Sequence, residues 1–322
     1  MFTLAELEAA ADLVHTHMPP TPVHAWPLLS ARVGSDVWVK HENHTPTGAF
    51  KVRGGIVYMD ALKRSGAKIA GVITATRGNH GQSIARAATM AGLRSVILVP
   101  HGNSVEKNAA MRAFGAELIE YGQDFDDAKQ EAARLAEFEG LHMVPSFDPA
   151  LVKGVATYGL ELFRAVPDLD AVFVPIGLGS GLCGLIAARD LLGVKAQIIG
   201  VVSANAPAYA VSFEAKQPVP TNSARTFADG VAVRTPHPAA VEIMCRGAAD
   251  VVQVTEDQIA DAVRLLYETT HNLAEGAGAV PLAGLIAGRD RWAGRKVAVI
   301  LSGGNIDRPL YADILAGQTP VV

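Results

Sequence analysis

Short runs of branched apolar residues alternate along the chain with longer stretches whose apolar positions recur every three or four residues. Residues 70–74 read as a strand, 82–90 as a helix and 95–99 as the next strand. The rhythm continues with helix over 106–114, strand over 117–120, helix over 124–138 and a short strand over 142–144. A second series places helices over 151–163 and 181–191 and strands over 171–174, 197–202, 251–254 and 296–301. Thr255 and Gln258 have the spacing of a capping box, and Ile259, Val263 and Leu266 then fall on one face, with Ala262 and Leu265 beside them. Strands separated by helical lengths predict parallel sheets with helical crossovers, an α/β fold. The proline-bearing and polar segment from about 203 to 249 reads as surface loops or an irregular wrap.

Composition narrows the class. The 322 residues are 49% hydrophobic and 19% charged, within the globular range. A net charge of −4 without any basic tract speaks against a nucleic-acid surface. No apolar stretch is long enough to cross a bilayer and no leader pattern opens the chain, so a cytoplasmic protein without membrane contact is expected. Cys183 and Cys245 form no redox or metal pattern and read as idle thiols.

Four segments stand out as candidates for chemistry. They are His44-Thr-Pro-Thr-Gly-Ala-Phe-Lys-Val-Arg-Gly-Gly55, Thr76-Arg-Gly-Asn-His-Gly-Gln82, Gly177-Leu-Gly-Ser-Gly-Leu182 and Ser302-Gly-Gly-Asn305. The third follows a predicted strand and opens a predicted helix, where backbone N–H groups and the helix field favour a phosphate. Its Gly-x-Gly-x-Gly spacing is not a dinucleotide fingerprint, and no Gly-Lys-Ser/Thr follows for a nucleotide loop. A compact monophosphate fits better.

Taken together and in this order, the four motifs closely resemble the fold type II pyridoxal-5′-phosphate (PLP) enzymes, in their serine/threonine dehydratase-like branch. The resemblance covers nearly the whole chain. It implies two open, twisted α/β domains with the cofactor in the cleft: a smaller one over 47–150 and a larger one from 1–46 with 151–322. It implies Lys51 as the catalytic lysine that bonds PLP through its amine, with Phe50 packing nearby. Asn79 matches the partner of the cofactor's 3′-oxygen. Gly177, Leu178, Gly179, Ser180 and Gly181 match its phosphate loop, and Ser302 the partner of its ring nitrogen. Thr76, Arg77, Gly78, Asn79 and His80 match the segment that receives a substrate carboxylate. For Arg53 a bracing role, at the lysine loop or the domain boundary, is the expectation.

The expected activity is dehydration and deamination of a 3-hydroxy amino acid, by default L-threonine or L-serine, to a 2-oxo acid and ammonia. The freed Lys51 would remove the α-proton, and the cofactor phosphate is a candidate for the acid that helps the hydroxyl leave. Three departures from the branch bear on this. Ala49 stands in place of the usual serine before Phe-Lys. Arg77 stands where the racemases of the family carry a second catalytic serine, and an arginine is a poor base, so racemisation is not expected. Ser203 and Tyr209 occupy the places of a metal-binding glutamate and aspartate, so no divalent metal is expected. The same departures keep open a bulkier or charged substrate, a phenylserine or a 3-hydroxyaspartate. For Arg77 a surface ion pair ranks ahead of a second substrate carboxylate. A β-replacement enzyme and a non-catalytic PLP-binding protein are the competing classes. A homodimer is the expectation from the resemblance, and so is the lack of an isoleucine-sensing regulatory domain.

Overall fold

A computed structural model describes residues 1–321. The strands are β1 (Val23–Ala25), β2 (Asp36–His41), β3 (Val72–Ala75), β4 (Ser95–Val99), β5 (Glu117–Glu120), β6 (His142–Met143), β7 (Ala171–Pro175), β8 (Gln197–Ser203), β9 (Asp250–Val254) and β10 (Lys296–Leu301). Among the described residues they build two sheets, one ordered β1-β2-β10-β7-β8-β9 and the other β5-β4-β3-β6. Every pairing is parallel except β1 with β2. Every residue of β3, β4 and β7 is buried, as parallel strands covered by helices on both faces require.

The strand order does the positioning. β10, the last strand in the chain, is inserted between β2 and β7 and runs parallel to both. The loops leaving the carboxyl ends of β2, β10 and β7 therefore emerge side by side, and they carry Lys51, Ser302 and Gly177 respectively. From the other sheet, the carboxyl end of β3 leads directly into Thr76 and the Asn79–Met90 helix. The lysine loop is pinned to the loop after β10 by an antiparallel bridge between Ala49 and Gly303. Phe50 N donates to Ser302 O at 3.0 Å and Gly304 N to Gly48 O at 2.9 Å, which completes the pinning.

The Lys51–Arg64 helix packs against the Asn79–Met90 and Pro149–Ala165 helices. Its approach to the latter needs glycine on both sides. A Cβ on Gly54 would sit 2.9 Å from the Leu151 carbonyl oxygen, and one on Gly154 would sit 2.4 Å from that of Arg53. Glycine costs a helix interior about 1 kcal/mol, and here it permits the close crossing that seats the lysine.

The strand and helix pattern expected from periodicity is present, and the Thr255–Gln258 capping box forms with Ile259, Ala262, Val263 and Leu266 buried behind it. The 203–249 segment departs from expectation. It contains helices at Ala208–Ala215 and Pro238–Gly247 and a 3-10 turn at Asp229–Val231. Two of its prolines start helices rather than break them: Pro207 is an N-cap, and Pro238 lies in a first turn, where its missing N–H has no helical partner to lose. The Gly276–Ala287 helix gave no periodic signal because it is buried nearly all round.

Candidate active site

Lys51 opens its helix at the floor of a cleft shared with His80, Ser146, Leu151, Val155 and Ser180. Its Nζ lies 2.9 Å from Ser180 Oγ and 4.9 Å from the centroid of the Phe50 ring. Among the described residues no carboxylate comes within ion-pair distance of it. Enclosure by protein atoms without a compensating anion lowers its pKa from 10.5 to about 8. An appreciable fraction of the amine is therefore neutral near physiological pH. A roomier depression, lined by Asn205, Arg225 and Glu256, shares no residue with this cleft.

Phe50 also meets Tyr158 edge to face at 6.1 Å, and the Tyr158 hydroxyl donates to Gly181 O at 2.8 Å. A Cβ on Gly181 would lie 3.6 Å from the Phe50 ring. The lysine loop and the glycine loop thus meet through one aromatic ring.

The glycine loop leaves β7 and opens the Ser180–Leu191 helix, with Gly179 in the left-handed region at φ 97°. Among the described residues, the N–H groups from Gly177 to Leu182 find no protein acceptor, and the first helical bond begins at Cys183 N. Six consecutive free donors at a helix start form an anion site.

Thr76 is buried, and its Oγ1 accepts from Gly78 N at 3.0 Å and Gly81 N at 3.3 Å, which shapes the turn into the next helix. A Cβ on Gly78 would be 2.4 Å from Lys107 Cδ, so that turn is pressed against the lysine stem. Asn79 is held at both ends: its Nδ2 donates to Glu275 Oε1 at 2.6 Å and its Oδ1 accepts from Asn305 Nδ2 at 2.8 Å. These partners define which way the amide faces and leave one Nδ2 hydrogen for another acceptor. His80 Nε2 is buried without a partner, and burial, with Lys51 next, lowers its pKa to about 3. A neutral imidazole with an unused nitrogen therefore lines the same cleft as the lysine.

Arg77 is exposed, and among the described residues no carboxylate lies within ion-pair distance of it. It is near enough to help lower the pKa of Asp124, after that carboxylate's backbone hydrogen bonds. The surface ion pair ranked first for it is not formed. Ser302 is buried, and its Oγ makes only a long contact of 3.4 Å to Ala277 O.

Several residues at the site had no local signal. Glu275 also binds Lys107 Nζ at 3.1 Å, and Lys107 binds Asp229 at 2.6 Å. Burial alone would lower the pKa of Lys107, but the two carboxylates hold it raised. Asn305 was visible only as the end of the fourth motif. Arg53, fully buried, is bound by Glu42 and Glu161, with distances of 2.6–3.0 Å, and Glu161 also takes Lys40 at 2.5 Å. Two cations and two anions thus balance beneath the lysine helix.

The donor set fits pyridoxal phosphate. A lysine amine free of carboxylates stands beside a cradle of backbone N–H groups suited to a phosphate, and a hydroxyl rather than a carboxylate ends β10. The chain matches the family described as "Pyridoxal-phosphate dependent enzyme" over residues 14–303. It is 34% identical over 308 residues to an L-threonine ammonia-lyase of Thermotoga maritima, covering 95% of this chain and 76% of the relative. It is 36% identical over 321 residues to a putative threonine dehydratase of Sinorhizobium fredii, covering 98% and 96%. The processed form of threonine deaminase isoform 2 from Solanum lycopersicum superposes with a TM-score of 0.89 at 30% identity, covering 98% of this chain and 95% of that one. Fold, cofactor and enzymatic character are therefore those of the fold type II group: this chain belongs to the pyridoxal-phosphate dependent enzymes.

Proposed function

We propose that the protein is a dehydratase that converts a 3-hydroxy amino acid, L-threonine or L-serine by default, to a 2-oxo acid and ammonia. The observation that carries this reading is the Lys51 amine, its pKa lowered by burial, beside a phosphate-sized cradle in a chain about one-third identical to L-threonine ammonia-lyases. Bound PLP supplies an electron sink for the charge that develops at the substrate α-carbon. The chain supplies the rest. Lys51 holds the cofactor and, once released, takes the α-proton at Nζ. Ser180 Oγ gives that amine a hydrogen-bond partner at 2.9 Å. Gly177 to Gly181 would hold the phosphate through N–H groups, Asn79 has one Nδ2 hydrogen left to offer the 3′-oxygen, and Ser302 would be the partner of the ring nitrogen. Thr76, the Asn79 and His80 N–H groups and the His80 side chain would receive the substrate carboxylate, the Gly78 N–H being taken by Thr76 Oγ1.

This reading assigns no divalent cation to Ser203–Tyr209, so chelator should leave activity unchanged and magnesium should add none. It includes a homodimer, which sedimentation equilibrium checks. No helix among the described residues is long and apolar enough to cross a membrane. Release of 2-oxo acid and ammonia from a panel of 3-hydroxy amino acids tests the reaction, and no release from any of them would defeat it. A second reading, a substrate with an added carboxylate such as 3-hydroxyaspartate, is favoured by one observation: Arg77 is exposed and unpaired, next in the chain to the carboxylate-receiving turn. The same panel decides between them.

A further inference from the structure

A cradle of backbone N–H groups works only when its peptide planes are turned the right way. A trans peptide unit is rigid, and its C=O and N–H point in opposite directions. The direction of the Leu178 carbonyl therefore sets the direction of the Gly179 N–H. Gly179 lies in the left-handed region at φ 97°, and without a Cβ it offers little resistance to rotation of the plane before it.

That carbonyl is held. Tyr209 Oη donates to Leu178 O at 2.9 Å. The same oxygen accepts from His237 N at 3.1 Å, which engages its lone pair and commits its proton to Leu178. Tyr209 is 1% exposed, so water does not compete for either bond. The hydroxyl lies 3.4 Å from where a Cβ of Gly179 would be, against the back of the loop. The His237 ring in turn stacks on Phe147 with centroids 4.4 Å apart, which ties the latch to the segment that follows β6.

We propose that Tyr209 is a positioning residue for the cofactor phosphate, its hydroxyl fixing the Leu178–Gly179 peptide so that the Gly179 N–H faces the anion. The inference rests on the proposed placement of the phosphate at residues 177–182. The tyrosine acts from behind the loop and touches neither cofactor nor substrate.

The test separates the phosphate from the rest of the cofactor. The full-length chain, depleted of cofactor by dialysis, is titrated with PLP and separately with pyridoxal, which lacks the phosphate, by visible absorbance. The wild-type chain is expected to prefer PLP. Tyr209→Phe is expected to raise the Kd for PLP about 10-fold, the worth of one charge-assisted hydrogen bond, and to leave that for pyridoxal within about 2-fold. An unchanged ratio of the two affinities in Tyr209→Phe, whether both are kept or both lost, overturns the proposal. A wild-type chain that binds both ligands equally overturns the phosphate placement itself.

Discussion

Asn79 Nδ2 donates to Glu275 Oε1 at 2.6 Å, joining two residues 196 positions apart and two different sheets' loops. Glu275 is 2% exposed, and burial raises its pKa against the pull of Lys107. Lys107 and Asp229 extend the contact, so a file of alternating charges fixes the Asn79 amide. Glu275→Gln keeps the shape and can present the wrong end of its amide to Asn79. Turnover is expected to fall about 10- to 100-fold, the range for a hydrogen bond to a charged group. The absorbance maximum of the bound cofactor should shift as well. Unchanged kinetics and an unchanged spectrum would show that the amide needs no such support.

Lys51→Ala should abolish both the visible absorbance of covalently held PLP and nearly all turnover. Retention of PLP by itself decides nothing, because the cradle can hold the phosphate without the lysine. Normal absorbance with normal turnover would defeat the assignment.

Capture of PLP should depend on pH with a definite sign. Only a neutral amine attacks the cofactor aldehyde, and Lys51 is lowered from 10.5 to about 8 by burial. The rate of appearance of visible absorbance, on mixing the cofactor-depleted chain with PLP, should rise as pH rises through about 8 and then level off. A rate still climbing steeply toward pH 10 would mean that the fold leaves this amine unperturbed.

Arg53→Ala leaves Glu42 and Glu161 with Lys40, and with the His15 ring on Glu161, and should destabilise the fold by about 3–5 kcal/mol. Arg94, whose side chain is 39% exposed beside Glu117 and Glu139, is the contrast: its alanine variant should cost about 0–1 kcal/mol. Urea midpoints measure both. Burial works against ionised Glu161, yet Arg53 and then Lys40 bring its pKa from 4.5 down to about 2. A depressed carboxylate pKa stabilises the fold fully above the unfolded value of 4.5, and the contribution is lost as pH falls through about 2. The difference between wild type and Arg53→Ala should accordingly shrink over that window.

Elimination should outrun racemisation. Racemisation needs a proton donor and base on the face opposite Lys51, and the guanidinium of Arg77, with a pKa above about 12, serves poorly as either. Chiral chromatography beside 2-oxo acid measurement should show less inverted amino acid than 2-oxo acid for the best substrate. Arg77→Ser should raise the share of inversion. Inversion faster than 2-oxo acid formation in the wild-type chain would refute this.

The order of strands and helices was legible in the chain because it is a local property: apolar spacing over five to fifteen residues sets which face is buried. The four motifs were legible for a different reason. Each alone was a weak signal, and it was the resemblance of Lys51 with Phe50, Thr76 to His80, Gly177 to Gly181 and Ser302 to Asn305, taken together and in this order, to the motifs of one family that marked them. Prolines at 207 and 238 misled because a helix start and a helix break use the same residue, and only the surrounding packing distinguishes them. What the chain did not disclose is every contact that depends on β10 lying between β2 and β7. Asn305 reaches Asn79 across 226 positions, and Lys107 reaches Asp229 across 122. Tyr209 reaches the Leu178 carbonyl from the Ala208–Ala215 helix, 31 positions on. Hydrogen bonds and ion pairs act over about 3 Å in space, so sequence alone determined which loops carry the chemistry, and the tertiary structure decided which buried partners hold them in place.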